Sequence, residues 1–189
     1  AILKKFGRND VFVVVPAGIA PTQASLISEI LKDSGIRHAQ TVNRTFALLH
    51  YNQVDVLDSK DSMLVDCSDQ DATISVVGLG GIVKQMNMSC DLPIGSDEQA
   101  SQIIYQGITA FWNHLRSEIV ADIQSQGIYL NCHNDVLTNN LSNLLSNSLH
   151  IPVHISPEPA LGCIYGAADM VNHFDQYPFL ILKLTDLFE

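Results

Sequence analysis

The chain has 189 residues, 47% of them hydrophobic, enough core for one compact domain or one and a half. Ten Lys and Arg against twenty Asp and Glu give a formal charge of −10. That balance removes the counterion-release drive toward nucleic acid and disfavours anionic membrane surfaces. No run approaches the ~20 apolar residues of a membrane span, and no signal peptide opens the sequence. Residue 1 is Ala rather than Met, as expected of a processed or excised piece. Cys67, Cys90, Cys132 and Cys163 form no CxxC pair and no zinc spacing. Cys67, Cys90 and Cys163 have apolar residues close by and read as buried free thiols in a reducing compartment, the cytoplasm or an organellar stroma or matrix.

In chain order, "VFVVVPAG" (Val11–Gly18) is a β-branched run stopped by Pro16 and Gly18, the pattern of a strand buried on both faces. After Pro21, Thr22 is placed to cap a helix whose stripe is Leu26, Ile27, Ile30 and Leu31, with Gly35 as its end. A short segment, Ala39–Val42, leads into a helix over Thr45–Tyr51. "DVLDSKDS" (Asp55–Ser62) is polar and rich in turn formers, the pattern of a linker. "MLVDC", "ATISVVG" and "GIVKQMNMS" are closely spaced around Gly80–Gly81 and predict an antiparallel meander.

A helix is expected from about Ser96, capped by Ser96 or Asp97, to about Leu115, with Arg116–Gln126 continuing as helix until Gly127 breaks it. "GIYLNC" and "IPVHIS" read as strands. Between them Leu137, Leu141, Leu144 and Leu145 keep helical spacing. The opposite face, "TNNLSNLLSNS" (Thr138–Ser148), carries no charge, which fits either a neutral solvated surface or an interface spared the cost of burying charge. "PALGCIYGAADMVNHF" is a helix with a small-residue face suited to close packing. "FLILKL" (Phe179–Leu184) reads as a last strand on its own sheet rather than a partner-binding arm.

Local motifs for other chemistries are weak. His150 and His154 lie about 13 Å apart if Pro152 marks a strand, so a metal cluster with Cys132 and His133 is the lesser expectation against surface histidines, and no metal site is expected. Cys163 has no nucleophile motif around it. Ser75, Ser89 and Ser156 lack a G-x-S-x-G elbow.

"LVDCSDQDATISVVGLGGIV" resembles the second phosphate-binding hairpin of the actin-like ATPase superfamily, most closely that of MreB, the bacterial actin. The family pattern there is D-I-G-G-G-T-T, an alternating strand, then S-L-G-G-I-V. Asp66 matches the aspartate, and Leu79, Gly80, Gly81, Ile82 and Val83 match the turn. "VVVPAGI" resembles V-V-C-V-P-S-G-I, and "GSDE" (Gly95–Glu98) resembles G-G-D-E. "GIYL" with "IPVHISPEPALGCIYGAA" resembles the last strand-helix-strand-helix of the second half. Five segments agree in order from about residue 11 to 171. The resemblance implies an α/β fold of the actin-like, ribonuclease H-like kind, with mixed sheets flanked by helices, an incomplete first domain and a reduced second one. It divides the chain into 1–54, part of the first subdomain; 55–62, a linker; 63–173, the second subdomain; and 174–189, a C-terminal strand or docking tail.

The departures fall on the chemistry. A triphosphate on this fold needs bare backbone N–H groups, hence glycines. Here the three glycine positions are Ser68, Asp69 and Gln70, and Asp71 replaces the next threonine. Each carboxylate within ~5 Å of a phosphate repels it by several kcal/mol at an effective dielectric of about 20. A divalent metal would offset this, and a solvated acidic turn is the plainer alternative. The adenosine-side T-G-G-G-A corresponds to Asn131, Cys132, His133, Asn134 and Asp135, with no glycine.

The hydrolytic glutamate of E-E-P or N-E-P falls on Arg44, which cannot act as a carboxylate base. The first phosphate hairpin would lie before Ala1. About 30 residues separate Gly95 from Gly127, where MreB inserts a whole subdomain. The expectation is a scaffold or adaptor that is not an enzyme, binds no cofactor and has protein partners: a complete actin-like protein, a filament or a multi-subunit assembly. Two alternatives stand beside it: an ATPase whose missing phosphate loop comes from another segment or chain, and a regulatory pseudo-ATPase subunit paired with an active relative.

Overall fold

The computed structural model describes residues 10–16, 18–36, 38–68, 71–89 and 97–183. The chain forms two compact units: residues 1–51 with 161–189, and residues 52–160.

In the first unit, β1 (Asp10–Val15) lies parallel to β2 (His38–Asn43), and β8 (Ile181–Lys183) lies antiparallel to β2, giving the order β1-β2-β8. The parallel pair needs a crossover, supplied by α1 (Pro21–Asp33). Pro21, not Thr22, opens that helix, because proline at the first helical position loses no intrahelical hydrogen bond. The Ala20 N–H donates to Gln23 Oε1 at 3.2 Å. The expected stripe is also rotated: Leu26 and Ile30 are more than half exposed, while Ala24 and Ser28 are buried. Small residues give this helix its inward face.

α2 (Arg44–Tyr51) is entered through Asn43, whose Oδ1 accepts the Thr45 N–H at 2.8 Å. It packs on α6 (Gly162–Asn172), where a Cβ at Gly166 would run into the Ala47 carbonyl. That contact places α6 in the first unit, rather than in a second subdomain ending at 173. The small-residue face of α6 turns to α2, so the chain returns to the first unit at Leu161. His50 Nε2 meets Asp169 Oδ2 at 2.6 Å across the same pair. The expected last strand is short, as β8 on this unit's own sheet, and residues 184–189 lie outside the described ones.

In the second unit, β3 (Ser62–Cys67), β4 (Asp71–Gly78) and β5 (Gly81–Ser89) form the expected meander. With β6 (Ile128–Cys132) and β7 (Val153–Ile155), both added in parallel, the order is β5-β4-β3-β6-β7. The β4–β5 turn residues are Leu79 and Gly80, one position earlier than expected. Their φ values of 50° and 70° suit the two-residue hairpin turn that follows strand twist.

Residues 55–62 do not form a free linker. Val54 and Val56 are buried, and the Asp58 and Val56 carbonyls accept the Leu79 and Gly80 N–H groups at 2.9 and 2.7 Å. Two buried valines anchor a polar segment under the hairpin tip.

Helices α3 (Asp97–Trp112), α4 (Ser117–Gln126) and α5 (Asp135–Leu149) complete this unit; α3 and α4 are separate rather than continuous, because Arg116 is extended and serves as the N-cap of α4. Its core joins Met63, Val65 and Ile74 to Ile104, Ile108, Ile123, Leu141 and Leu145. Gly127 ends α4 at φ 90°, a conformation open to glycine, as expected. Ser96, Cys90 and the rest of 90–96 lie outside the described residues. Among the described residues no helix is long and apolar enough to cross a membrane.

Candidate functional site

Ligands of parallel sheets gather at the carboxyl ends of the strands. In the second unit that end is built by β3 and β6, whose register sets Asp66 beside Asn131 and Cys67 beside Cys132. Asn131 is fully buried, and its Nδ2 donates to Asp66 Oδ1 at 2.8 Å. Its Oδ1 is buried with no hydrogen-bond partner among the described residues. Such an acceptor costs about 1–3 kcal/mol. Cys67 and Cys132 are buried, as is Cys163 in the first unit.

The loop after β3 closes on itself. The Ser68 N–H donates to the Asp71 carbonyl at 2.8 Å, and the Asp71 N–H donates to Ser68 Oγ at 3.1 Å. The Ser68 hydroxyl also reaches the Asp71 carbonyl at 3.2 Å. Ser68 thus uses its side chain to satisfy the turn. Asp69 and Gln70 lie outside the described residues.

The loop after β6 is satisfied in a related way. Asn134 caps α5, its Oδ1 accepting the Val136 and Leu137 N–H groups at 2.9 and 3.0 Å. Its Nδ2 donates to Asp97 Oδ1, on the first residue of α3, at 3.0 Å. A helix N-terminus is an anion site when its first N–H groups are free. Here a neutral amide has taken two of them, and the Asp97 and Asp135 carboxylates stand in the first turns of α3 and α5. His133 is exposed.

These groups do not fit the nucleotide triphosphate and divalent cation that an actin-like fold implies. The described loop N–H groups of Ser68 and Asp71 are spent, the α5 terminus is capped by Asn134, and Asp135 adds a carboxylate to its first turn. Asp66 keeps the aspartate of the resemblance, and it holds Asn131.

Arg44 belongs to the first unit. It opens α2, and its Nη1 donates to Cys163 Sγ at 3.3 Å. His150 is the left-handed C-cap of α5, with φ 54°. His154 stacks on Tyr129 at 4.9 Å, and its Nε2 lies 3.0 Å from the Gln126 carbonyl. Burial pushes the Tyr129 phenol above its ordinary pKa. Asp61 is likewise raised, first by burial and then by the Asp122 carboxylate, with Arg116 opposing. Sequence reasoning missed the roles of Asp97 and Asp61. Their partners lie 37 and 61 positions away, so no local spacing announces them.

The two units carry the actin-like fold: a strand meander joined in parallel to strands of βα units, with helices flanking the sheets. Neither a protein-family model nor a curated protein sequence matches the chain. Among solved structures it is similar to MreB5 of Spiroplasma citri bound to AMPPNP, with a TM-score of 0.76 and 10% identity over 88% of this chain and 69% of that one. It is also similar to MreB5 of the same organism bound to ADP, with a TM-score of 0.78 and 10% identity over 93% and 72% of the two chains. At that identity the likeness is one of fold.

Proposed function

We propose that this chain is a non-catalytic actin-like scaffold or adaptor in the cytoplasm or an organellar stroma or matrix. It acts through protein–protein contacts with a complete actin-like protein, a filament or a larger assembly. One observation carries this: the loops after β3 and β6 hydrogen-bond to themselves through Ser68 and Asn134, where a phosphate would need open donors. The strands and hairpin turns that build the fold stay intact around them.

The test is a thermal melt with millimolar ATP–Mg, together with affinity purification from the native source. A ligand at 100 times its Kd stabilises by about 2.7 kcal/mol, a shift easily read in a melt. No shift is expected, with stoichiometric protein partners recovered. A rise of several degrees, or ATP turnover that Asp66→Ala abolishes, would overturn the proposal.

A further inference from the structure

Helices α3 and α5 leave an open groove between them, a cavity of about 420 Å³ within the second unit. Asn140, Asn143 and Asn147 line one wall, with Leu144 among them. Glu98, Ser101 and Gln102 line the other. We infer that this groove binds an extended, arginine-bearing peptide segment of a partner protein.

The amides set the ligand class. Asn143 and Asn147 are four residues apart on one helix, a rise of about 6 Å. The dipeptide repeat of an extended chain is about 6.6 Å. Side-chain amides at that interval can each pair with a backbone N–H and C=O, as a neighbouring strand would.

Charge sets the side chain. Among the described residues of the lining Glu98 is the only ionisable group, with no lysine or arginine beside it. Phosphates and acidic peptides are therefore disfavoured, while a guanidinium matches the carboxylate in a bidentate fork. The formal charge of −10 steers a cationic segment toward the chain. The same charge opposes a second copy of the chain as occupant. Among the described residues the lining offers no aromatic face on which a sugar ring would stack.

The inference rests on the adaptor reading only for its biological sense. Peptide capture at α3–α5 and nucleotide binding at β3–β6 are read in separate assays, so either can fail alone.

The probe is an end-capped, fluorescein-labelled peptide of alternating threonine and arginine, titrated by fluorescence anisotropy. Saturable, salt-sensitive binding is expected. Glu98→Gln should weaken it about tenfold, within the range of a lost charged hydrogen bond. The double change Asn143→Ala with Asn147→Ala should weaken it by a similar factor. Glu118→Gln, on the exposed face of α4, should leave it unchanged and thereby separate the groove from general attraction to an acidic surface. A peptide with glutamate in place of arginine should not bind. These side chains are exposed or half-buried, and circular dichroism melts of each variant check that the fold is kept. Absence of binding, equal losses in Glu98→Gln and Glu118→Gln, or self-association through the groove in sedimentation would each overturn the inference.

Discussion

Glycine is used oppositely in the α2–α6 helix pair and in the loops that follow β3 and β6. On α6, Gly162 lies against the Tyr51 ring and Gly166 against the Ala47 carbonyl, positions with no room for a side chain. In the loops, Ser68 through Asp71 and Asn131 through Asp135 contain no glycine, and Ser68 and Asn134 hydrogen-bond to the local backbone. Glycine is present where two backbones must approach and missing where a phosphate would need to. A fold can therefore keep its close helix packing while the donors of its loops are taken up internally.

The sharpest way to break this comparison is at α6. Gly166→Ala drives a Cβ into backbone, which cannot move aside as a side chain can, and should cost about 3 kcal/mol in urea denaturation followed by circular dichroism. Gly107→Ala on α3 is the control. Its Cβ would meet the Met88 thioether, a flexible side chain, and alanine gains up to about 1 kcal/mol of helix propensity. Equal losses at the two positions would show that close backbone approach is not what α6 requires.

A smaller effect is expected at the loop. Asn134→Ala frees two N–H groups and the Asp97 carboxylate, and should cost about 1 kcal/mol. Asn134→Gly should cost only a few tenths of that figure. If Asn134→Ala is silent in denaturation, the cap is not what closes this helix end.

The smallest effect concerns Gly78, which leaves room for the Asp61 side chain. Burial and Asp122 raise the Asp61 pKa, so the folded state holds this proton more tightly than the unfolded one. Stability from this group is fully present at low pH. It falls as pH rises from the ordinary carboxylate value of 3.8 through the raised folded value. Asp61→Asn should flatten that fall and raise stability at neutral pH by a few tenths of a kcal/mol, solvent screening keeping the effect small. A stability profile identical to the parent's would remove Asp61 from the account.

The sequence made the strands legible because β-branched runs and the Leu79–Gly81 hairpin are local signals. α5 and its buried leucines were legible for the same reason. The α1 stripe was misplaced because periodicity counts apolar residues without knowing what faces them, and small Ala24 and Ser28 proved to be the inward pair. The return of α6 to the first unit was hidden because its partner α2 lies more than a hundred residues earlier. Its small-residue face was the visible hint. At the candidate site the missing glycines were plain, but the Asn131–Asp66 and Asn134–Asp97 bonds come from strand register and helix placement, which spacing along the chain does not encode.

The first unit is assembled from two stretches of chain, with the whole second unit between them. During synthesis from the N-terminus, β2 must wait for its antiparallel neighbour β8 until residues 52–160 have been made. The second unit is continuous and can fold in that interval. Once folded it brings its own two ends together, since Asn52 Nδ2 donates to Ser156 Oγ at 2.9 Å. A long loop is thereby exchanged for a short one, and the entropy of closing the first unit falls before its last strand arrives. The order of synthesis thus lets the inserted unit form before the surrounding one has all its strands.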